Sequence, residues 1–207
     1  MLGNLLSAYD LAWPLIIEPV IKNADTWQIN NNYIFKKSHE EEKDINKVLA
    51  INKFLRQENI PVPEYIKTKS GDYYITDGEN IYSLMRKIDG AHLNLDGDYI
   101  NTARNLGFEL ARLHKSLKKM GGVAYESDLI SELNGQIEQI KAADINIARE
   151  IIKACLDFAD VYKILPRQLI HRDVHAGNML FDNGRLVCFL DFDSSQINAR
   201  LFDIAYF

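Results

Sequence analysis

Residues 171–193 read HRDVHAGNMLFDNGRLVCFLDFD. Two apolar segments, NMLF and RLVCFLDF, flank Asp182-Asn183-Gly184, and an Asn-Gly pair between alternating strands predicts a tight β-hairpin. The hairpin places Asn178 at the start of one strand and Asp191 at the end of the other. Counted outward from the turn, the two come back to the same end. Asp173 lies in the loop just before, close enough in sequence for one bend to bring it beside Asn178. Three readings of these residues compete: a phosphate-transfer site, a metal site, and a polar loop with incidental acids.

Phosphoryl transfer from ATP is mainly positioning and charge neutralisation. It needs a carboxylate that orients the acceptor hydroxyl, a carboxylate and an amide oxygen that hold Mg2+, and a lysine on the phosphates. Magnesium takes hard oxygen ligands and keeps several waters, so few protein ligands suffice. Asp173, Asn178 and Asp191 meet that demand. A zinc site would draw on His171, Asp173 and His175, whose alternate spacing could converge in an extended strand. No further His or Cys cluster completes four ligands for it.

Upstream, the first third of the chain predicts strands around one helix. PLIIEPVIK (14–22), DTWQI (25–29) and NNYIFKK (31–37) are strand segments. Ser38 is the expected N-cap of a helix through about Gln57, with Glu40, Glu41 and Glu42 favouring its positive end. Ile45, Val48, Leu49, Asn52 and Leu55 approximate one face of it, Asn52 being the polar exception. Pro61 and Pro63 end that helix. EYIKT, DYYIT and NIYSLMRKI then return to strands. From Tyr99 to Met120, Ala103, Leu106, Leu110, Leu113 and Leu117 recur at helical spacing, stopped by Gly121-Gly122. Further helices are predicted over 127–142 and 145–164, before the short strand QLI and the hairpin. The fold expected is α+β and two-lobed: an antiparallel-sheet lobe with one helix (1–87), then a helical lobe carrying a hairpin (88–207). The junction near 86–90 is too short for a free linker, so the lobes should pack together.

The chain is 47% hydrophobic and 26% charged with a net charge of −5, a globular composition with no basic block for nucleic acid. No apolar run approaches the ~18 residues of a membrane span, and LAWPLIIEPVI lacks the basic leader of a signal peptide. The two cysteines, Cys155 and Cys188, form no CxxC. A cytoplasmic protein is expected, with no membrane or nucleic-acid partner.

HRDVHAGNMLF followed by LDFD resembles the H-x-D-x-H-x-x-N … D-x-[DE] signature of the aminoglycoside phosphotransferase and choline kinase superfamily, which includes homoserine-kinase-like enzymes and has a protein-kinase-like fold. The resemblance implies that Asp173 is the catalytic base and that Asn178 and Asp191 ligate Mg2+. His175 stands where ordinary protein kinases usually carry lysine, whereas Arg172 gives the protein-kinase spelling HRD. NNYIFKK looks like the strand bearing the phosphate lysine, with Lys36 the better match and Lys37 the second. YSLMRKIDG looks like the hinge, which would lay adenine against the backbone near Arg86 and Ile88. Asp203, in RLFDIAYF, matches a structural anchor.

Supporting roles fall to His171 as loop anchor, His175 as orienting group and Asp193 as turn, substrate or metal residue. His114 reads as a satisfied core histidine. VIKNADTWQ (20–28) lacks the glycines of a phosphate cradle, leaving Asn23, Asp25 or Thr26 side chains to help. The helix position expected to face the lysine falls at Val48, so either Asp44 or Glu41 substitutes as partner or the ion pair is absent. Superfamily members usually continue with further helices, so the helical lobe is expected to be incomplete at Phe207. The function implied is an ATP- and Mg2+-dependent phosphotransferase acting on a hydroxyl of a small molecule of aminoglycoside, amino alcohol or sugar type. The alternatives are a non-catalytic nucleotide-binding relic or regulatory module of the same fold, or a Ser/Thr protein kinase.

Overall fold

A computed structural model of the chain describes residues 2–20, 25–39, 41–92, 99–121, 126, 131–132 and 145–206. A short helix α1 (Leu2–Leu6) precedes strands β1 (Ile17–Pro19), β2 (Thr26–Ile29) and β3 (Tyr33–Ser38). Helix α2 (Glu42–Gln57) follows, then β4 (Tyr74–Asp77) and β5 (Asn80–Arg86). These strands form one sheet in the order β1-β2-β3-β5-β4, every pairing antiparallel.

The two-residue repeat of β3 divides its side chains between the sheet's faces. Phe35 is fully buried, stacked on Tyr82 at 5.5 Å and meeting Tyr9 edge-on at 6.3 Å. That face is covered by Leu6, Tyr9 and Leu11 of the N-terminal segment, an element the sequence pattern did not predict. Ile34 and Lys36 therefore project from the opposite face. Lys37 turns back to the Phe35 side, where it pairs with Asp25 at 3.6 Å.

The expectation that Ser38 caps α2 is corrected. Ser38 is the last residue of β3, paired with Ile81. The helix begins at Glu42, after Glu41 in extended conformation with no side-chain cap. The ladder claims the Ser38 backbone, and Glu42 and Asp44 in the first turn favour the helix dipole instead. EYIKT is likewise no full strand: Tyr65 bridges Met85, with Ile66 N–H donating to the Leu84 carbonyl at 2.8 Å and Arg86 N–H to the Glu64 carbonyl at 2.9 Å, before Thr68 N–H turns to the Asp72 carbonyl.

The second lobe contains β6 (Ala91–His92), α3 (Tyr99–Leu117), α4 (Ile145–Ile164), β7 (Arg167–Ile170), a 3-10 turn (Ala176–Asn178), β8 (Met179–Asp182), β9 (Arg185–Phe189), β10 (Gln196–Ala199) and α5 (Leu201–Tyr206). The predicted helix over 127–142 lies outside the described residues, apart from 131–132. β8 and β9 form the expected hairpin, with β6 added at its edge. Asn183 and Gly184 turn it at φ 48° and 74°. Two successive left-handed residues match the strands' twist, which is why Asn-Gly is favoured there. β10, unpredicted because QINA reads as polar loop, pairs with β7.

A shared core joins the lobes. Val48, Ile51 and Leu55 of α2 pack with Leu106, Leu110, Leu113 and Leu117 of α3, and with Met179, Phe189 and Phe192 around the hairpin. Full burial of each such side chain contributes about 1.5–3 kcal/mol over exposure, so this core holds sheet, helices and hairpin in one arrangement. Among the described residues, no helix is long and apolar enough to cross a membrane.

Candidate active site

The loop after β7 is anchored from beneath by Asp203 on α5. Its carboxylate is fully buried and accepts hydrogen bonds from the backbone N–H of His171 at 3.1 Å and of Arg172 at 2.6 Å. The His114 ring nitrogen Nε2 lies 2.7 Å away. A buried carboxylate needs this many partners to offset its lost hydration. Arg172 takes a left-handed conformation, φ 73°, which turns the loop over. Its guanidinium pairs with Glu132 and lies 5.6 Å from the Phe202 ring.

His171 is fully buried against Phe192, ring centroids 4.4 Å apart. Its Nε2 is 2.8 Å from the Leu190 carbonyl, and its Nδ1 accepts the Asp173 N–H at 3.3 Å. A carbonyl only accepts, so Nε2 carries the proton. Burial pushes its pKa below the ordinary histidine value, against the raising influence of Asp203. Both ring nitrogens are engaged, so His171 cannot also ligate zinc with Asp173 and His175. Among the described residues, no group of three or more His, Cys, Asp or Glu side chains converges as a metal cage.

His175 caps the 3-10 turn: its Nδ1 accepts the Gly177 N–H at 3.0 Å. A Cβ on Gly177 would stand 2.8 Å from His175 Cε1, so a larger residue there would have to displace the ring that forms this cap. The turn delivers Asn178 to Asp173. Asn178 Nδ2 donates to the Asp173 carbonyl at 3.0 Å and to its carboxylate Oδ2 at 2.7 Å. His175 Nε2 lies 3.6 Å from the same Oδ2.

The hairpin returns with a register shift between Leu180 and Phe181, so that Met179 pairs with Phe189. Leu190 N–H donates to the Asn178 carbonyl at 2.8 Å, and Asp191 follows at φ 60°. Lys36 Nζ bridges Asp191 Oδ1 at 2.9 Å and Asp193 Oδ2 at 2.7 Å. Burial opposes the Lys36 charge, but Asp193 and Asp191 outweigh it and raise its pKa. For Asp193, burial and the neighbouring Asp191 outweigh Lys36 and push its pKa up to about 7. For Asp191, burial is outweighed by the hydrogen bond from Asp193 and the Lys36 charge, so its pKa is lowered.

Among the described residues, Asp44 is not a partner of Lys36. Helix α2 instead contributes Lys47, whose Nζ donates to the Asp193 carbonyl at 2.9 Å; sequence reasoning missed it. Asp25 is committed to Lys37 and to His39, the latter at 3.4 Å. Asn23 lies outside the described residues, whereas Thr26 lines the cleft.

Lys36, Asn178, Asp191 and Asp193 line a cleft of about 340 Å³ between the lobes. Ile34, Tyr65, Met85, Leu180 and Leu190 form its apolar walls, and Arg86, Lys87 and Ile88 border it. The Arg86 guanidinium points elsewhere, to Glu64 at 3.1 Å and over Tyr33, so the segment can meet a ligand through its backbone. An apolar slot leading to a cation, two carboxylates and an amide suits a flat base joined to a polyanion.

Such a cleft, between an antiparallel sheet with one helix and a helical lobe with a hairpin, defines a two-lobed fold of the protein-kinase-like class. The chain belongs to the phosphotransferase enzyme family, whose model matches residues 22–207. A homoserine kinase of Zymomonas mobilis is 28% identical over 170 residues, 76% of this chain and 50% of that protein. The amicoumacin kinase hAmiN, solved with AMP-PNP, Ca2+ and Ami, superposes with a TM-score of 0.74 at 15% identity, over 99% of this chain and 66% of that one. The GDP and kanamycin complex of APH(2'')-IIia gives 0.73 at 18% identity, over 99% and 76%. The chain spans about half the length of the curated relatives it matches.

Proposed function

We propose that this chain moves the γ-phosphoryl group of ATP to a hydroxyl of a small molecule. The observation that carries the reading is the joining of Asp173, Asn178, Asp191 and Lys36 around one cleft. Asp173, with one oxygen held by Asn178, orients the acceptor hydroxyl and takes its proton. The acceptor oxygen bonds to the γ-phosphorus as the bond from that phosphorus to the β–γ bridging oxygen breaks, releasing ADP. Lys36 offsets charge on the phosphate oxygens, and Asp191 and Asp193, which it bridges here, are the carboxylates that would face a cation.

The residues fit magnesium. Asn178 Nδ2 is spent on Asp173, so its Oδ1 remains as a hard donor, and Asp191 adds a carboxylate that is 40% exposed. These two would hold the ion, with Asp193 beside them. Bound there, magnesium neutralises charge on the β- and γ-phosphates. The base would lie against the backbone of 86–88. Likeness to a homoserine kinase favours an amino alcohol as acceptor over a sugar.

The test is Asp173→Ala, assayed for ADP release across a panel of amino alcohols, sugars and aminoglycosides. Transfer should fall about 10²–10⁴-fold, the span of general-base contributions, with melting temperature and Mg-ATP binding retained. Turnover equal to wild type would remove Asp173 from the mechanism. Mg-ATP binding by wild type without transfer to any acceptor would favour a nucleotide-binding relic.

A further inference from the structure

Lys47 is the residue of α2 that reaches the segment carrying Asp191 and Asp193. Its Nζ donates to the Asp193 backbone carbonyl at 2.9 Å. The next residue, Val48, is buried in the shared core with Ile51 and Leu55, so the helix is fixed beneath the ammonium. The contact therefore carries the position of α2 from one lobe to the other.

The segment is pinned at its two ends by its own backbone. Leu190 N–H donates to the Asn178 carbonyl at 2.8 Å, and Ser195 N–H closes a turn on the Phe192 carbonyl at 3.1 Å. Between these pins Asp191 stands at φ 60°, a left-handed conformation disfavoured for residues with a Cβ, so neighbouring contacts must hold it. Two lysines of the sheet lobe do so, in different ways. Lys36 holds the carboxylates of Asp191 and Asp193 at 2.9 and 2.7 Å, the groups that would face a cation. Lys47 holds a main-chain oxygen and leaves both carboxylates free. A cation competes for the first link and not for the second.

We propose that Lys47 is a positioning residue: by holding the Asp193 carbonyl it keeps Asp191 turned toward Asn178 for the metal, independently of the Lys36 bridge. This rests on the reading above, in which Asn178 and Asp191 hold the ion.

The experiment is Mn2+ binding at saturating ADP, read from the paramagnetic resonance of free Mn2+. It compares wild type with Lys47→Met, which keeps the apolar stem without a donor, and Lys47→Arg, which keeps a donor. Lys47→Met should bind Mn2+ about tenfold more weakly, the worth of one charge-assisted hydrogen bond. Its metal-free ADP affinity should stay within about twofold and its melting temperature within about 2 °C. Lys47→Arg should return Mn2+ affinity to within about threefold of wild type. A merely structural role would instead lower stability and weaken ADP and Mn2+ together. Equal Mn2+ affinity in wild type and Lys47→Met, or an equal loss for metal-free ADP, would overturn the proposal. In wild type, the Lys47 ammonium NMR signal, assigned by its absence in Lys47→Arg, should stay protected from exchange both free and with Mg-ADP. Loss of that protection on adding Mg-ADP would overturn the proposal even where Lys47→Met does not fold. Wild type that binds ADP but not Mn2+ would remove the metal role and leave nucleotide binding intact. Wild type that binds no ADP would overturn the nucleotide reading and this inference with it.

Discussion

The loop at 171–178 and the Lys36 cradle opposite it face the same cleft but are held in different ways. The loop is tied by buried hydrogen bonds from its own lobe: Asp203 receives two backbone N–H groups and lies against His114, and His171 is locked against Leu190 and Phe192. The cradle is tied across the cleft, by Lys36 to Asp191 and Asp193 and by Lys47 to the Asp193 carbonyl, through side chains that are partly exposed. The loop is thus set before any ligand arrives. The Lys36 bridge is held by the same carboxylates that would meet a cation, so a ligand can rearrange it at little cost to the fold.

Asp203→Ala is the strongest way to break this contrast. It leaves two buried N–H groups and His114 without their acceptor, and should cost about 3–5 kcal/mol. At the usual scaling that lowers the melting temperature by about 10 °C, read by calorimetry. A variant melting with wild type would mean that the loop is held by something else.

The two regions should also respond to pH with opposite sign. His171 has a lowered folded pKa, so below about 6.5 the unfolded chain binds the extra proton and stability falls as pH drops toward the folded value. Asp193 has a folded pKa raised to about 7. Its contribution is full below the unfolded value of about 4 and is lost as pH rises through about 7 in magnesium-free protein. Asp191, with a lowered pKa, contributes in the opposite sense, its share fading as pH falls below about 4. Denaturant midpoints across pH 4–8 should flatten on the acid side in His171→Asn and on the neutral side in Asp193→Asn. A variant that keeps the wild-type slope would free that residue of the assigned linkage.

Lys36→Ala should change stability by no more than about 1 kcal/mol, since partly exposed ion pairs contribute little, while weakening Mg-ATP binding in a thermal-shift titration. A much larger stability loss would make the cradle as structural as the loop. The smallest effect belongs to the hairpin turn. Gly184→Ala, at φ 74°, should cost about 1 kcal/mol, measured by denaturant midpoint, without altering nucleotide binding.

Much of the fold was legible because it is written locally. The Asn183-Gly184 turn starts the hairpin from adjacent residues, and a register shift between Leu180 and Phe181, which no local pattern marked, completes the return of Asp191 towards Asn178. The leucine spacing of α3 reports its buried face, and alternation along β3 separates Lys36 from Lys37. What misled was local evidence overruled by the ladder: Ser38 resembles a helix cap, but pairing with Ile81 keeps it in the sheet. Counting along the helix put Val48 opposite Lys36 and left Asp44 or Glu41 as substitute partners, or no ion pair; such counting cannot say where α2 meets the other lobe.

The sequence by itself determined which residues meet at the candidate site, because Asp173, Asn178 and Asp191 are brought together by one loop and one hairpin. Tertiary structure alone decided what surrounds them. The His114–Asp203 contact, the Lys36 bridge to Asp191 and Asp193, and the reach of Lys47 to the Asp193 carbonyl all join segments far apart in the chain. Their meeting depends on how the shared core orients α2, α3 and the hairpin, and no short-range pattern encodes it.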